Sequence, residues 1–306
     1  MYDIIVVGGG PAGMTAALYA LRNGKHALVI EKAGFGGQIT HSPKVENYPG
    51  TLQMSGNEFA DRMLDQILAQ GAQIEIERVV AVEDRGDFKV VTTEEGGAYE
   101  GRAVVIATGV KHRMLGLPGE NELVGEGISF CAVCDGDFYS GQTVCVAGGG
   151  NSALQEAILL SEKCREVIIL QDLPKLTGER KLQDVLAARA NVRAICDTKI
   201  DALVTEDGAL KGVAISGRST GEKQTVACDG LFVAIGLIPE NEPFKALAAL
   251  NDWGYFDSDE RCLTRTPGVF VAGDCRSKGV RQLTTAVADG ATAALAACRY
   301  IDYELG

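Results

Sequence analysis

The sequence predicts an α/β fold made of two dinucleotide-binding βαβ units, the second inserted into the first. Three observations carry this. A glycine-rich turn follows an apolar strand at Gly8–Gly13, and another follows a second strand at Gly148–Ala153. The runs "AVVIATG" (Ala103–Gly109) and "LFVAIG" (Leu231–Gly236) repeat one pattern, an apolar strand stopped by a small residue and glycine. A short strand at Val269–Ala272 cannot make a domain alone, and is expected to complete the sheet of the first unit. The 306 residues leave room for about two domains.

The first unit is the most explicit. Ile4–Val7 is an apolar run of the kind buried in a parallel sheet. Gly8, Gly10 and Gly13 make G-x-G-x-x-G, with Pro11 and Ala12 between the last two. The first glycine permits the tight turn, the second lets backbone approach a pyrophosphate, and the third lets helix pack on strand. A helix over Ala12–Asn23 should end at Gly24. Strand Ala27–Ile30 is closed by Glu31, placed where an acid meets a ribose hydroxyl. An amphipathic helix is expected over Asn57–Gln70, with Phe59, Met63, Ile67 and Leu68 on its buried face. A strand meander then leads to strand Ala103–Ala107, stopped by Thr108 and Gly109.

Val110–Leu123 mixes charge, glycine and proline and reads as a linker. The second unit follows: strand Thr143–Ala147, turn Gly148–Ala153 ("GGGNSA", including Gly150, Asn151 and Ser152), helix Leu154–Ser161 and strand Val167–Leu170. The expected domains are 1–113 plus 243–306, and 114–242.

A net charge of −12 without a Lys/Arg stripe argues against a nucleic-acid partner. The N-terminus "MYDIIVV" lacks a basic stretch, so no signal peptide is expected. The uncharged run Ile4–Leu21 is interrupted by "GGGPAG", which argues against a membrane span. The expectation is a soluble cytoplasmic protein. Nine cysteines, an odd number scattered over a long chain, are not a secreted disulfide framework.

Cys131-Ala-Val-Cys134 has three readings. A zinc half-site needs a second ligand pair, and no suitably spaced one exists; no metal is expected. Two buried structural cysteines are the bland reading. A redox-active disulfide is the favoured one, because this spacing permits a reducible bond and tunes thiol acidity.

Taken in order, GGGPAG, "GGQITHSPKVENYPG" (Gly36–Gly50), ATG, CxxC-Asp-Gly, GGGNSA, AIG and "AGDCRSKGVRQ" (Ala272–Gln282) resemble the low-molecular-weight thioredoxin reductases along essentially the whole chain. The resemblance implies two Rossmann-like domains, one binding FAD and the other NAD(P)-binding-like and carrying the CxxC. It places Gly8, Gly10, Gly13 and Glu31 on pyrophosphate and ribose and Gln38 and Asn47 along the flavin, with Pro11, Ala12, Gly37, Thr108 and Gly109 also in the cofactor site. Gly273 and Asp274 fall on the ribityl–pyrophosphate segment. Arg281 and Gln282 open the last helix, whose N-terminal end would face the flavin and favour its reduced, negative form. Cys134 matches the flavin-facing thiol, Cys131 the exchange thiol, and Asp135 the acid/base. The linkers near Val110–Gly119 and Glu240–Glu242 would be hinges that let the cysteine domain rotate. Cys275 reads as a packing residue. The implied partner is thioredoxin or a thioredoxin-like protein, and the implied assembly is a homodimer.

One departure puts the donor in doubt. NADPH-dependent members carry His-Arg-Arg-x-x-x-Arg after the second strand of the inserted domain, to hold the 2′-phosphate. Here Gln171, Asp172, Leu173 and Thr177 stand at those positions. Asp172 would oppose a phosphate carrying about −1.5 to −2 charges. Lys175, Arg180 and Lys181 lie downstream and offer partial compensation. NADH, with Asp172 accepting a ribose hydroxyl, and reduced ferredoxin both remain open as donors in place of NADPH. Two other functions on this fold also remain open. One is a flavin dithiol oxidase passing electrons to oxygen; the other is a flavin-bound electron-transfer or regulatory module.

Overall fold

The computed structural model describes residues 1–42 and 45–305, so Pro43 and Lys44 of the Gly36–Gly50 motif lie outside it. In chain order, β1 (Tyr2–Val7), α1 (Pro11–Arg22) and β2 (Ala27–Glu31) form the first βαβ. Pro11 sits at the start of α1, where its missing N–H costs nothing. A 3-10 turn at Gly37–His41 leads to α2 (Gly56–Ala69), capped by Ser55 accepting the Glu58 amide at 3.0 Å. β3 (Gln73–Ile76), β4 (Val79–Asp84), β5 (Lys89–Thr93) and β6 (Ala98–Ile106) follow, then β7 (Lys111–His112), α3 (Glu120–Leu123) and β8 (Ile128–Ser129). Next come α4 (Ala132–Asp135), β9 (Thr143–Ala147), α5 (Asn151–Ser161), β10 (Glu166–Leu170), α6 (Arg180–Ala187) and β11 (Val192–Ile195). The chain continues with β12 (Thr198–Glu206), β13 (Ala209–Gly217), β14 (Lys223–Ala227), β15 (Gly230–Val233), β16 (Leu237–Ile238), β17 (Val269–Val271) and α7 (Leu283–Tyr303).

The chain divides into two compact units, Met1–Lys111 with Ile238–Gly306, and His112–Leu237. In the first, the sheet order is β3-β2-β1-β6-β5-β4. The N-terminal half of β6 pairs antiparallel with β5, and its C-terminal half pairs parallel with β17, Val104 opposite Val269. The late strand therefore completes the first sheet. Apolar side chains fill both faces. Met14, Ala16, Ala20, Ala293 and Ala297 from α1 and α7 cover one face; Phe244, Leu247 and Phe256 cover the other.

The second unit holds an all-parallel sheet, β11-β10-β9-β15-β8, and a three-stranded antiparallel sheet, β12-β13-β14. Val144, Cys145, Val146 and Leu231 are wholly buried, as strands covered on two faces require.

Two local expectations need correction. Leu68 is exposed, and α2 instead packs Phe59, Met63, Leu64 and Ile67 inward, a stripe closer to the helical period. The stretch read as a linker to Leu123 is folded beyond β7: Glu120 is buried and accepts the amides of Leu115 and Gly116, both at 2.7 Å, and of Leu117 at 3.2 Å. Of the charged residues there, Glu120 alone turns inward to satisfy the turn, while Lys111, Arg113 and Glu122 are exposed.

Candidate redox and nucleotide sites

The two glycine turns are built alike. Gly8 has φ +110° and Gly148 φ +120°. A Cβ on Gly8 would lie 2.4 Å from the Ala107 carbonyl oxygen, and one on Gly148 would lie 2.5 Å from that of Ala234. Both are conformations and approaches that only glycine accepts. By contrast, a Cβ on Gly10 would meet nothing nearer than 4.0 Å, so the backbone there borders open space.

Several of the other first-unit positions lie against this turn. Glu31, buried at the end of β2, accepts the Gly9 amide at 2.6 Å and the Ala33 amide at 3.0 Å. Gly37 lies against Gly10, and Gly273 against Ala12. Pro11 and Gly13 belong to α1. Thr108 donates to Asn241 at 3.0 Å; Asn241 in turn donates to the carbonyls of Gly254 and Cys275, both at 2.9 Å. Gly109 has φ +64°, and a Cβ there would meet nothing within 4 Å. Gln38 and Asn47 are exposed, and Asn47 donates to Gln282 at 3.3 Å.

Asp274 sits in the 3-10 turn Gly273–Cys275 and keeps one buried carboxylate oxygen without a partner. Burial pushes its pKa up to about 6, against the pull of Lys278 and Arg281. Arg281 donates to the carbonyls of Asp274, Lys278 and Arg276 and stacks on Tyr255, 4.2 Å from the ring centre. Gln282 caps α7, its side chain and that of Thr285 bonding reciprocally to each other's backbone.

Sequence reasoning missed the charge cluster beneath this turn. Asp289 of α7 accepts the Gly273 amide at 3.0 Å, Lys278 at 2.9 Å and Arg276 at 2.7 Å. Arg276, 1% exposed, also donates to Ser258 and to the Asp259 carbonyl.

In the second unit, Cys131 and Cys134 are disulfide-bonded, their Cα atoms 5.3 Å apart at the two ends of a single turn. Val133 between them is exposed. Asp135 is buried; Ser129 donates to one of its oxygens at 2.6 Å, and the other oxygen has no partner. The same Ser129 hydroxyl accepts the Cys131 amide at 3.1 Å. Burial raises the Asp135 pKa above the ordinary carboxylate range, and the Ser129 bond lowers it in part. Neither Ser129 nor Glu156, which accepts the Ala132 amide, was singled out from sequence.

At the second glycine turn, Gly148 and Gly150 flank Gly149, against which Gln171 is packed. Asn151 and Glu179 bond reciprocally, while Ser152 is exposed and Ala153 buried at the start of α5. Thr177 and Gly178 donate their amides to the Gly149 carbonyl. Asp172 is exposed and pairs with Arg218 at 3.3 Å. Among the described residues no helix is long and apolar enough to cross a membrane, and no cluster of three or more His, Cys, Asp or Glu is placed to hold a metal.

Comparison with known proteins agrees with this geometry. The chain is 40% identical over 300 residues to the "34.2 kDa protein in rubredoxin operon" of Clostridium pasteurianum, covering 98% of this chain and 97% of that one. It is 37% identical over 302 residues to thioredoxin reductase of Bacillus subtilis, covering 99% and 95%. The crystal structure of thioredoxin reductase from Streptococcus pyogenes superposes with a TM-score of 0.93 at 38% identity, covering 99% and 98%. The profile for pyridine nucleotide-disulphide oxidoreductases matches residues 2–290. With two Rossmann-like units and a disulfide beside a buried acid, the chain belongs to the pyridine nucleotide-disulphide oxidoreductase family and is a thioredoxin reductase-like flavoenzyme.

Proposed function

We propose that this enzyme passes electrons through FAD and the Cys131–Cys134 disulfide to thioredoxin or a thioredoxin-like protein. The observation that carries the reading is the disulfide itself, held beside a buried Asp135 with one oxygen unpartnered. The first unit fits FAD. Open space borders Gly10, and Asp274 presents a buried oxygen with no protein donor, as a ribityl hydroxyl would need. Gly8, Gly10, Pro11, Ala12, Gly13 and Glu31 would hold the pyrophosphate and ribose; Gly37, Gln38, Asn47, Thr108, Gly109, Gly273, Asp274, Arg281 and Gln282 would hold the rest. When bound, FAD supplies two-electron transfer to the disulfide.

The chain's own groups do the remaining work. Cys131 carries the thiol that attacks the partner's disulfide, and Cys134 resolves the mixed disulfide. Asp135, its acid form favoured by burial, gives and takes the proton at sulfur. The donor is NADH or a reduced ferredoxin in place of NADPH. Gly148, Gly150, Asn151, Ser152, Ala153 and Asp172 would form the nicotinamide-nucleotide site if NADH serves. No basic side chain stands at Gln171, Asp172, Leu173 or Thr177, and Asp172 already engages Arg218. Two copies would assemble as a homodimer, as the resemblance implies.

The test is an anaerobic reductive titration of the purified protein. Four electrons per flavin, two for FAD and two for the disulfide, are expected, with rapid bleaching by NADH or reduced ferredoxin. Uptake of only two electrons would remove the disulfide from the pathway. Rapid reoxidation by oxygen with a small dithiol, and none with a redoxin, would favour the dithiol oxidase reading.

A further inference from the structure

Two carboxyls bracket the disulfide turn, and the function proposed above uses one. Asp135 closes α4 and is bonded to Ser129. Glu156 reaches the other end from α5 and accepts the Ala132 amide, next to Cys131. Among the described residues neither carboxyl forms an ion pair. Among the described residues of the elements that neighbour α5, no cation is paired with Glu156. Tyr139 has its phenol pushed up to about 12, by burial first and then by Asp135. Cys145 on β9 is held protonated by Cys228 and burial, and it faces the side of the sheet away from α5. Glu166 on β10 is paired with Arg193, and Arg180, Lys181 and Asp184 on α6 are exposed, Arg180 pairing with Asp184.

We propose that Glu156 is a second acid of the redox centre, a positioning residue that acts on the cysteine pair through the Ala132 amide and through Asp135. The inference rests on the disulfide being redox-active, as proposed above. Reduction breaks the S–S bond, takes two electrons from the reduced cofactor, and ends with two thiols after two protons are bound, or with one thiol and one thiolate after one. Two carboxyls close together at one partly buried site do not both ionise freely, and burial, with the charge of Asp135, raises Glu156. Burial pushes Glu156 up to about 7, with the charge of Asp135 adding to the rise and the Ala132 bond opposing it. The pair therefore keeps a proton close to the sulfurs at neutral pH. Once ionised, Glu156 disfavours a thiolate at the adjacent Cys131.

The experiment measures the alkylation rate of Cys131 against pH in chemically reduced holoprotein, wild type and Glu156→Gln. The glutamine keeps an acceptor for Ala132 and loses only the charge. The expected result is a Cys131 titration moved down by up to about one pH unit, so that alkylation near pH 8, where wild-type Glu156 is ionised, is several-fold faster, while the two profiles converge near pH 6 where Glu156 is neutral. Superimposable profiles would overturn the proposal. If Glu156→Gln does not fold, Asp135→Asn carries the test: the protonated-carboxyl infrared band of Glu156 should titrate at lower pH than in wild type, and an unmoved band would overturn the proposal. Chemical reduction makes the thiol titration independent of electron delivery, whereas failure of the functional reading appears as a two-electron reductive titration.

Discussion

Asn47 donates a hydrogen bond to Gln282 at 3.3 Å across 235 positions of sequence, joining the loop after the first 3-10 turn to the cap of α7. Both were expected along the flavin, and the bond shows that these distant segments meet in the fold. Gln282→Ala removes this bond and half of the capping box. Loss of the cap costs about 1 kcal/mol, which for a unit of this size lowers the melting temperature by about 2–4 °C. Flavin retention on a desalting column should fall together with it.

Cys131→Ser and Cys134→Ser should separate the two sulfur roles. Both variants are expected to keep FAD and take up two electrons per flavin instead of four. Cys131→Ser should abolish turnover of a redoxin while leaving flavin reduction by the donor intact. A stable mixed disulfide with the redoxin should be trapped only in Cys134→Ser, seen on a non-reducing gel.

Asp274→Asn should strengthen the apoprotein and weaken its cofactor binding. The folded-state pKa of Asp274 is raised, from 3.8 to about 6, chiefly by burial. The native state then binds more protons than the unfolded state between those values, so stability falls as pH rises through the window. Urea melts of apoprotein should show the variant gaining on wild type from about pH 4 to about pH 6, with no difference below the window. FAD affinity of the variant should drop at neutral pH, because the amide cannot replace a carboxylate acceptor of equal strength.

Asp172→Asn should release Arg218, the cation now paired with it. If NADH is the donor, NADPH should then gain on NADH by about tenfold in the flavin-reduction rate, one charged hydrogen bond being worth about 1.5–3 kcal/mol. Rapid reduction of the wild type by micromolar NADPH would contradict the donor assignment. Reduction by neither nucleotide, with fast reduction by ferredoxin, would select ferredoxin.

Arg276→Ala should be among the most damaging changes in the first unit. It strips one of two cations from buried Asp289 and unmakes the bonds to Ser258 and Asp259. Breaking a buried ion pair costs about 3 kcal/mol or more. A melting-temperature loss of roughly 6–10 °C is expected.

The parts of the sites legible in the sequence are those set by backbone. Gly8 and Gly148 announce turns that exclude a side chain, Glu31 announces the end of a strand, and Cys131 and Cys134 announce a short loop closed by sulfur. What stayed hidden depends on side chains meeting across elements. Ser129 is an ordinary strand residue until its hydroxyl is seen between Cys131 and Asp135. Glu156 is an ordinary helix residue until α4 is laid against α5. Asp289 stands in an alanine-rich helix, and nothing in its sequence context shows that it binds Arg276, Lys278 and the Gly273 amide. The charged stretch around Glu120 misled for the same reason, since composition does not reveal that the carboxylate turns inward.

The split of the first unit bears on the order in which a ribosome makes the molecule. β17 and α7 emerge last, after the whole of His112–Leu237. The thiol-bearing unit is continuous and can fold while still attached to the ribosome, as domains do when their residues are complete. During that time β6 lacks its β17 neighbour, and the apolar face of α1 lacks α7. The nascent chain thus holds a finished sulfur centre before it can hold a flavin, and the first unit becomes able to close only when its final helix has been synthesised.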